Sequence, residues 1–273
     1  MRIPRFFIPH DCFDTTNLAA TVSEPGIVDQ ILKVLRLAVD SKIDLLDGRG
    51  KIYHCSISDV QSTAKAKAKA KVLHARIESI VDESSARQIS GSAFHVSVAV
   101  PILRPARFEW ALEKLTELGA SEIVPLVTTR SVGREEKATR WSAIVREASE
   151  QCERITLPEI TPPKTLNEYL DHLKKAGDAT IFICAERSHE CPNDKAGAAP
   201  LHMVLCNSAD LPPHKISVIV GAEGGFTAEE LAFAQNAGAE PVSLGKSILR
   251  SETAAIYALA IVMAVLTDRT KAH

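Results

Sequence analysis

The sequence predicts an α/β protein, a mainly parallel sheet with helices between its strands, preceded by a small β-rich module. Three observations predict it. From His95 onward, continuous apolar runs alternate with stretches whose apolar residues recur every three or four positions. Before about residue 85 the apolar stretches are short and alternating, with an Asp-Gly turn signal between two of them. Between these regions, Asp82 to Ser92 is polar, carries Ser, Gln and Gly, and reads as a linker.

In the first module, Ile27 to Leu37 has apolar residues at 27, 28, 31, 32, 34, 35 and 37, which fits a short helix. Lys42–Leu46, Lys51–Ser58 and Val72–Ile80 read as strands, the first two joined by Asp47-Gly48-Arg49-Gly50. Ala64 to Lys71 alternates Ala and Lys. As a strand, it would put Lys65, Lys67, Lys69 and Lys71 on one face. That face fits a solvated hairpin tip or edge strand guarded by its lysines, or a ridge that touches phosphates.

In the second region, Val96–Leu103 is a continuous apolar run suited to a buried strand. Arg107–Leu118 sets Phe108, Ala111, Leu112, Leu115 and Leu118 on one helical face, with Gly119 at the stop position. Glu122–Val127 is strand-like, and Lys137–Cys152 is helix-like with Trp141, Ile144, Val145 and Ala148 as its stripe. Leu166–Ala176 is a helix ending at Gly177, Ala179–Ala185 and Ile216–Val220 are strands, and Ala228–Ala237 is a helix closed by Gly238. Pro241–Leu244 is a strand, and Glu252–Leu266 is the last helix.

Composition narrows the function classes. With 273 residues, 45% hydrophobic and 24% charged, the chain is neither disordered nor fibrous and has room for two domains. A net charge of −2 leaves any nucleic-acid contact to local patches. The six cysteines form no Cys-x-x-Cys pair. Cys184, His189 and Cys191 match no common zinc spacing, so no metal is expected. The apolar start breaks at Pro9 and Asp11, so no secretory leader is expected, and the thiols fit a reducing cytoplasm. Ala254–Leu266 is the longest apolar run; at that length it reads as a buried helix, with no membrane role expected.

The sharpest local feature is Gly221-Ala-Glu-Gly-Gly-Phe-Thr-Ala-Glu-Glu, directly after a strand. Its glycines allow positive φ and close approach of a ligand to the main chain. Thr227 with Glu230 is a capping box, so a helix starts at once. Strand, glycine turn and capped helix is how α/β folds build sites at strand C-termini. The order of glycines is neither that of a dinucleotide fingerprint nor that of a P-loop. Glu223 would repel phosphates, so a neutral or cationic ligand, such as a sulfonium, suits the turn better. On local pattern alone, a purely structural turn fits as well. The second feature is Leu244-Gly-Lys-Ser-Ile-Leu-Arg-Ser-Glu-Thr-Ala-Ala, where a strand again ends in Gly and a polar loop enters a helix that Ser251 or Thr253 could cap. Arg250 and Glu252 stand at that junction, as a cleft pair or as a surface pair favouring the helix dipole. Adjacent parallel strands would bring both loops to one sheet edge.

These two motifs together resemble the RsmE family of ribosomal RNA methyltransferases, within the SPOUT superfamily. Lys114-Leu-Thr-Glu-Leu-Gly, Glu150-Gln-Cys-Glu-Arg154 and the N-terminal Arg2-Ile-Pro-Arg5-Phe-Phe and Val34-Leu-Arg36 resemble further family signatures. The family usually has Pro where Ala222 stands, which makes the turn here less rigid; the Ala-Lys tract is not a family feature. The resemblance implies a PUA-like RNA-binding β-barrel over residues 1–82. Over 93–273 it implies a SPOUT-type parallel sheet with a C-terminal trefoil knot, in a homodimer.

It also implies S-adenosyl-L-methionine as cofactor and N3 of one uridine in 16S rRNA of the small ribosomal subunit as target. Cofactor contacts would come from Gly221, Glu223, Gly224, Gly225, Leu244, Gly245, Ile248 and Leu249. Arg250 is the expected stabiliser of a uracil anion and Glu252 the expected proton acceptor. Arg5, Arg36 and the Lys65–Lys71 run are the expected RNA contacts. Two other readings stand beside this one at the level of sequence: a non-catalytic RNA-binding protein of the same fold, and a SPOUT enzyme that methylates ribose.

Overall fold

The short alternating runs of the N-terminal module pair into one six-stranded sheet. The computed structural model describes residues 3–63, 70–82, 94–131, 137–177, 179–185, 198–207 and 215–271. It divides into two units, Met1–Arg87 with Ser149–Leu157, and Gln88–Ala148 with Pro158–His273. Of the expected linker, the residues after Asp82 lie outside the described ones.

The first unit contains β1 (Arg5–Phe7), β2 (Phe13–Asp14), β3 (Ala19–Val22), α1 (Pro25–Asp29), β4 (Lys42–Leu46), β5 (Lys51–Thr63) and β6 (Ala70–Asp82). Its sheet order is β1-β4-β5-β6-β3-β2. The Asp47–Gly50 turn joins β4 to β5 in an antiparallel hairpin with Leu46 opposite Ile52. Asp47 fixes that turn by accepting from the N–H of Arg49 at 2.8 Å and of Lys51 at 3.1 Å. Phe6, Ala20, Ile43, Leu45, Tyr53, Ile57, Leu73 and Ile77 share one core, so the sheet curls around its own apolar face.

The expected helix over 27–37 is shorter than its pattern. After α1 the chain passes through a π-helical turn, Gln30–Val34, and leaves at Arg36 with φ +54. Ile27, Val28 and Ile31 are buried, while Val34 and Leu35 face solvent. Apolar periodicity reported the residues available for burial, and the left-handed residue ended their use.

Residues 149–157 complete this unit. Glu150 accepts from the N–H of Phe7 at 3.1 Å, Leu157 donates its N–H to Gly48 O at 3.1 Å, and Ile155 and Leu157 pack on Phe7, Leu46 and Ile52. The Glu-Gln-Cys-Glu-Arg signature thus fastens β1 through Glu150 and Glu153, and Leu157 just after it fastens the β4–β5 turn.

The second unit contains β7 (His95–Pro101), α2 (Pro105–Glu117), β8 (Glu122–Val127), α3 (Ala138–Gln151), β9 (Glu159–Ile160), β10 (Lys164–Thr165), α4 (Leu166–Ala176), β11 (Ala179–Cys184), β12 (Ala199–Pro200), α5 (Leu201–Asn207), β13 (Lys215–Val220), α6 (Ala228–Asn236), β14 (Glu240–Ser243) and α7 (Ser251–Lys271). All strand pairs are parallel, in the order β10-β8-β7-β13-β11-β14-β12, with β9 also on β8. Alternate residues of β7 and β13 face opposite layers. Val96, Val98, Val100, Val218 and Val220 pack with α2, α5 and α7, while Ala99 and Ile219 pack with α4 and α6. Burial on both faces is why these strands read as unbroken apolar runs.

Helix α7 is longer than the apolar run that announced it. Its Ser251–Asp268 window is long and apolar enough to cross a membrane by length and composition. Ala255, Ala258, Leu259, Val262 and Leu266 are nonetheless fully or almost fully buried against the sheet, which makes α7 a core helix. On the other face, Tyr169 is buried with its hydroxyl 2.8 Å from both Ser97 and Ser217. Burial pushes the Tyr169 phenol up to about 12, so it stays neutral and satisfied in this polar bridge between β7 and β13.

Candidate active site

Both glycine motifs leave the C-terminal edge of the parallel sheet. They do not follow adjacent strands as expected, because β11 lies between β13 and β14. They reach one edge because all three strands run the same way.

The first turn is held from every side. Gly225 donates its N–H to Ala222 O at 2.8 Å and takes φ +69. A Cβ on Gly221 would lie 3.0 Å from the Phe226 ring, and one on Gly224 would lie 3.0 Å from Cδ of Arg130. At Gly221 the packed ring leaves little room for a side chain, whereas at Gly224 the crowding atoms belong to the exposed Arg130 side chain. The capping box forms as expected: Glu230 donates its N–H to Thr227 Oγ1 at 3.1 Å, and the Glu230 carboxylate accepts from the Thr227 N–H at 2.9 Å. The other Glu230 oxygen accepts from both N–H and Oγ1 of Thr129, at 2.9 and 3.0 Å. The loop after β8 is thereby tied to the start of α6.

The second loop is held mainly at its ends. Ser243 Oγ accepts the N–H of Gly245 at 3.2 Å, and Gly245 takes φ +124. Lys246, Ser247 and Arg250 are exposed, and Ile248 is 83% exposed. Leu244 and Leu249 are half-buried against the core. Arg250 O accepts the N–H of Ala254 at 2.8 Å, which opens α7. Ser251 does not cap that helix with its side chain. It is buried, and its Oγ donates to Gly221 O at 2.8 Å. One hydrogen bond thus joins the two motifs directly.

Glu252 is 5% exposed. Its Oε1 lies 3.8 Å from Nε of Arg107, and its Oε2 is buried with no hydrogen-bond partner among the described residues. Arg107 also bonds Glu223 through Nη1, and Arg130 donates from Nη1 to Gly224 O. Sequence reasoning missed both arginines. A signal existed for Arg107, since a cation in the first turn of a helix opposes the helix dipole and calls for another purpose. Arg130 sits on an irregular loop after β8, where no periodicity marks it.

The expected site residues therefore divide. Gly221, Glu223, Gly224, Gly225, Leu244, Gly245, Ile248, Leu249, Arg250 and Glu252 lie on or next to the two loops of one sheet edge. Arg5 lies in the first unit and is 26% exposed, with Nε 3.5 Å from the buried Asp44 and Nη1 3.9 Å from Glu153. Arg36 is exposed, and Lys71 is exposed on β6 opposite Ser62. Lys65, Lys67 and Lys69 lie outside the described residues, as do His189 and Cys191. No metal-holding group of His, Cys, Asp or Glu occurs among the described residues. Burial pushes the Cys184 thiol up to about 12, which opposes the thiolate that a metal would need.

Comparison with known proteins places this geometry. An RNA methyltransferase domain model matches residues 90–263, and an RNA methyltransferase PUA domain model matches residues 31–69. The fold and its paired glycine loops are those of an RNA methyltransferase. The Ribosomal RNA small subunit methyltransferase E of Synechocystis is 32% identical over 237 residues, covering 86% of this chain and 69% of that protein. The protein of the same name from Rickettsia conorii is 30% identical over 234 residues, covering 85% and 84%. A crystal structure of the Neisseria gonorrhoeae Ribosomal RNA small subunit methyltransferase E, bound to S-adenosyl methionine, superposes with a TM-score of 0.72 at 28% identity, covering 97% of this chain and 98% of that one. The chain belongs to the ribosomal RNA small subunit methyltransferase E family.

Proposed function

We propose that this chain uses S-adenosylmethionine to methylate N3 of one uridine in 16S rRNA of the small ribosomal subunit. The observation that carries it is the buried Ser251–Gly221 hydrogen bond, which joins the two glycine motifs. The residues suit the cofactor. A Cβ at Gly225 or Gly245 would meet nothing within 4 Å, so their main chain borders open space. Gly221, Glu223, Gly224, Gly225, Leu244, Gly245, Ile248 and Leu249 would hold the cofactor, mostly by main-chain groups. When bound, it supplies an electrophilic methyl group.

The chain's own work is to make the uracil imide a nucleophile. The neutral N3–H is a poor one, so its proton must leave as the new bond forms. Glu252 takes that proton, and Arg250 stabilises the anionic uracil oxygen. The two loops hold the reacting groups in line, which is chiefly positioning. The base must be unpaired or flipped out, because N3 lies on its pairing edge. In the first unit Arg36 and Lys71 have exposed side chains for RNA phosphates, with the Lys65–Lys69 run next to Lys71 in sequence. Arg5, shared between Asp44 and Glu153, has only its exposed quarter to offer.

The same reading places the protein in the cytoplasm, as a homodimer with residues 1–82 as the RNA-binding domain and 93–273 as the catalytic one. Exposed Tyr257 on α7 and Trp110 on α2 support an interface there. A trefoil knot at the C-terminal end is supported by β13, which enters the sheet between β7 and β11 although it follows both in sequence.

The test is methyl transfer to 30S particles and to free 16S rRNA, with the modified atom mapped by mass spectrometry. One labelled uridine N3 is the expected result. Label on a ribose oxygen, or on neither substrate, overturns it.

A further inference from the structure

Arg107 lies outside both glycine motifs, yet it is joined to each of them. It starts from the first turn of α2, at the C-terminal end of β7, the strand next to β13. Its Nη1 bonds Glu223 in the first loop, and its Nε lies 3.8 Å from Oε1 of Glu252 just beyond the second. Glu223 is half-exposed and Glu252 is buried. An exposed pair of this kind adds little stability by itself. A buried carboxylate is different, because it stays charged only beside a cation or several donors.

We propose that Arg107 is the positioning residue of the active site. It engages Oε1 of Glu252 and holds that carboxylate in one orientation. Through Glu223 it also ties this orientation to the cofactor turn. The inference rests on the function proposed above and specifies what holds Glu252 in place. Arg107 acts through Glu252 and touches neither the base nor the methyl group. Without it, Glu252 keeps its place in α7 but loses the cation that fixes its rotamer.

The test measures single-turnover methyl transfer to 30S particles at saturating cofactor for the wild type, R107M, R107K, E252Q and the double variant R107M/E252Q. Cofactor affinity is measured separately by calorimetry. R107M is expected to lower the rate about tenfold, with the KM for particles changed less than about threefold. R107K should recover much of that rate, because a cation returns. In the E252Q background R107M should cost nothing further, since residues acting as one unit are not additive. Calorimetry should show cofactor binding by R107M weakened only through the loosened turn, by about threefold or less.

A loss confined to KM for particles would make Arg107 an RNA contact and overturn the proposal. An equal loss in the E252Q background would also overturn it. Should R107M fail to fold, R107K with and without E252Q carries the same comparison, and additive losses again decide against it. If the wild type itself transfers no methyl group while still binding the cofactor, the proposed function fails, and Arg107 falls with it.

Discussion

The two loops of the site each follow a parallel strand and are built in opposite ways. The turn after β13 is fixed by its neighbours: Phe226 lies under Gly221, Arg130 holds Gly224 O, Arg107 holds Glu223, and Thr129 ties down Glu230. The loop after β14 runs exposed from Gly245 to Ile248 and is secured by Ser243 at one end and Ser251 at the other. The first loop is braced along its length and the second at its two ends. On the proposed function, the turn after β13 would keep cofactor geometry and the loop that carries Arg250 would meet the base.

The largest effect should come from the second loop. R250A removes the charge that stabilises the uracil anion, so kcat should fall about a hundredfold while cofactor affinity, read by calorimetry, stays within about twofold. If turnover is unchanged, the second loop only covers the site, and the division of labour is wrong.

Next comes the first loop. G221A pushes a Cβ to 3.0 Å from the Phe226 ring. The ring is 6% exposed and packed, so it cannot swing clear. Stability should drop by about 1–3 kcal/mol in denaturant unfolding, with a matching loss of cofactor affinity. The same substitution at Gly245 has space but requires φ +124, so it should alter turnover more than stability. Equal stability losses at the two sites would erase the contrast.

How much of this was legible follows from the same contrast. The strand–turn–helix signal at 216–230 was complete in the sequence, because glycines and a capping box act locally. Helices α2, α4 and α6 and strands β4, β8, β11 and β13 were marked by runs or stripes that one window can show. Strand β1 was not, since three residues paired in parallel with β4 carry no period of their own. Arg130, the role of Ser251 and the partners of Arg107 were also hidden. Each of these side chains acts on a residue about 30 to 116 positions away, and only the fold sets those distances. Val34 and Leu35 mark the opposite failure, where a clean apolar pattern has no core to meet.

The joint between the halves gives a smaller effect. S251A leaves Gly221 O buried without its donor, at a cost of about 1–2 kcal/mol. Because that bond joins the loops, cofactor affinity should fall by about tenfold, more than stability alone would require if cofactor contacts come from both sides. A stability loss with unchanged affinity would mean that each loop binds on its own.

The smallest expected effect concerns Ala222, where the resemblance leads one to expect Pro. Ala222 is buried beside Phe226, and its carbonyl already accepts from Gly225 in the closed turn. Neighbours on three sides therefore supply rigidity that a proline ring would otherwise provide. A222P removes conformational freedom mainly from the unfolded chain, so it should stabilise by about 0.4–1 kcal/mol and tighten cofactor binding by no more than about fivefold. A much larger gain in affinity would show that the turn is loose in the free protein and is ordered by its ligand. The braced half of the site would then be the looser one. A loss of stability would show instead that this turn has settled on a backbone angle proline cannot take, with Arg130 and Arg107 holding what the ring would have held.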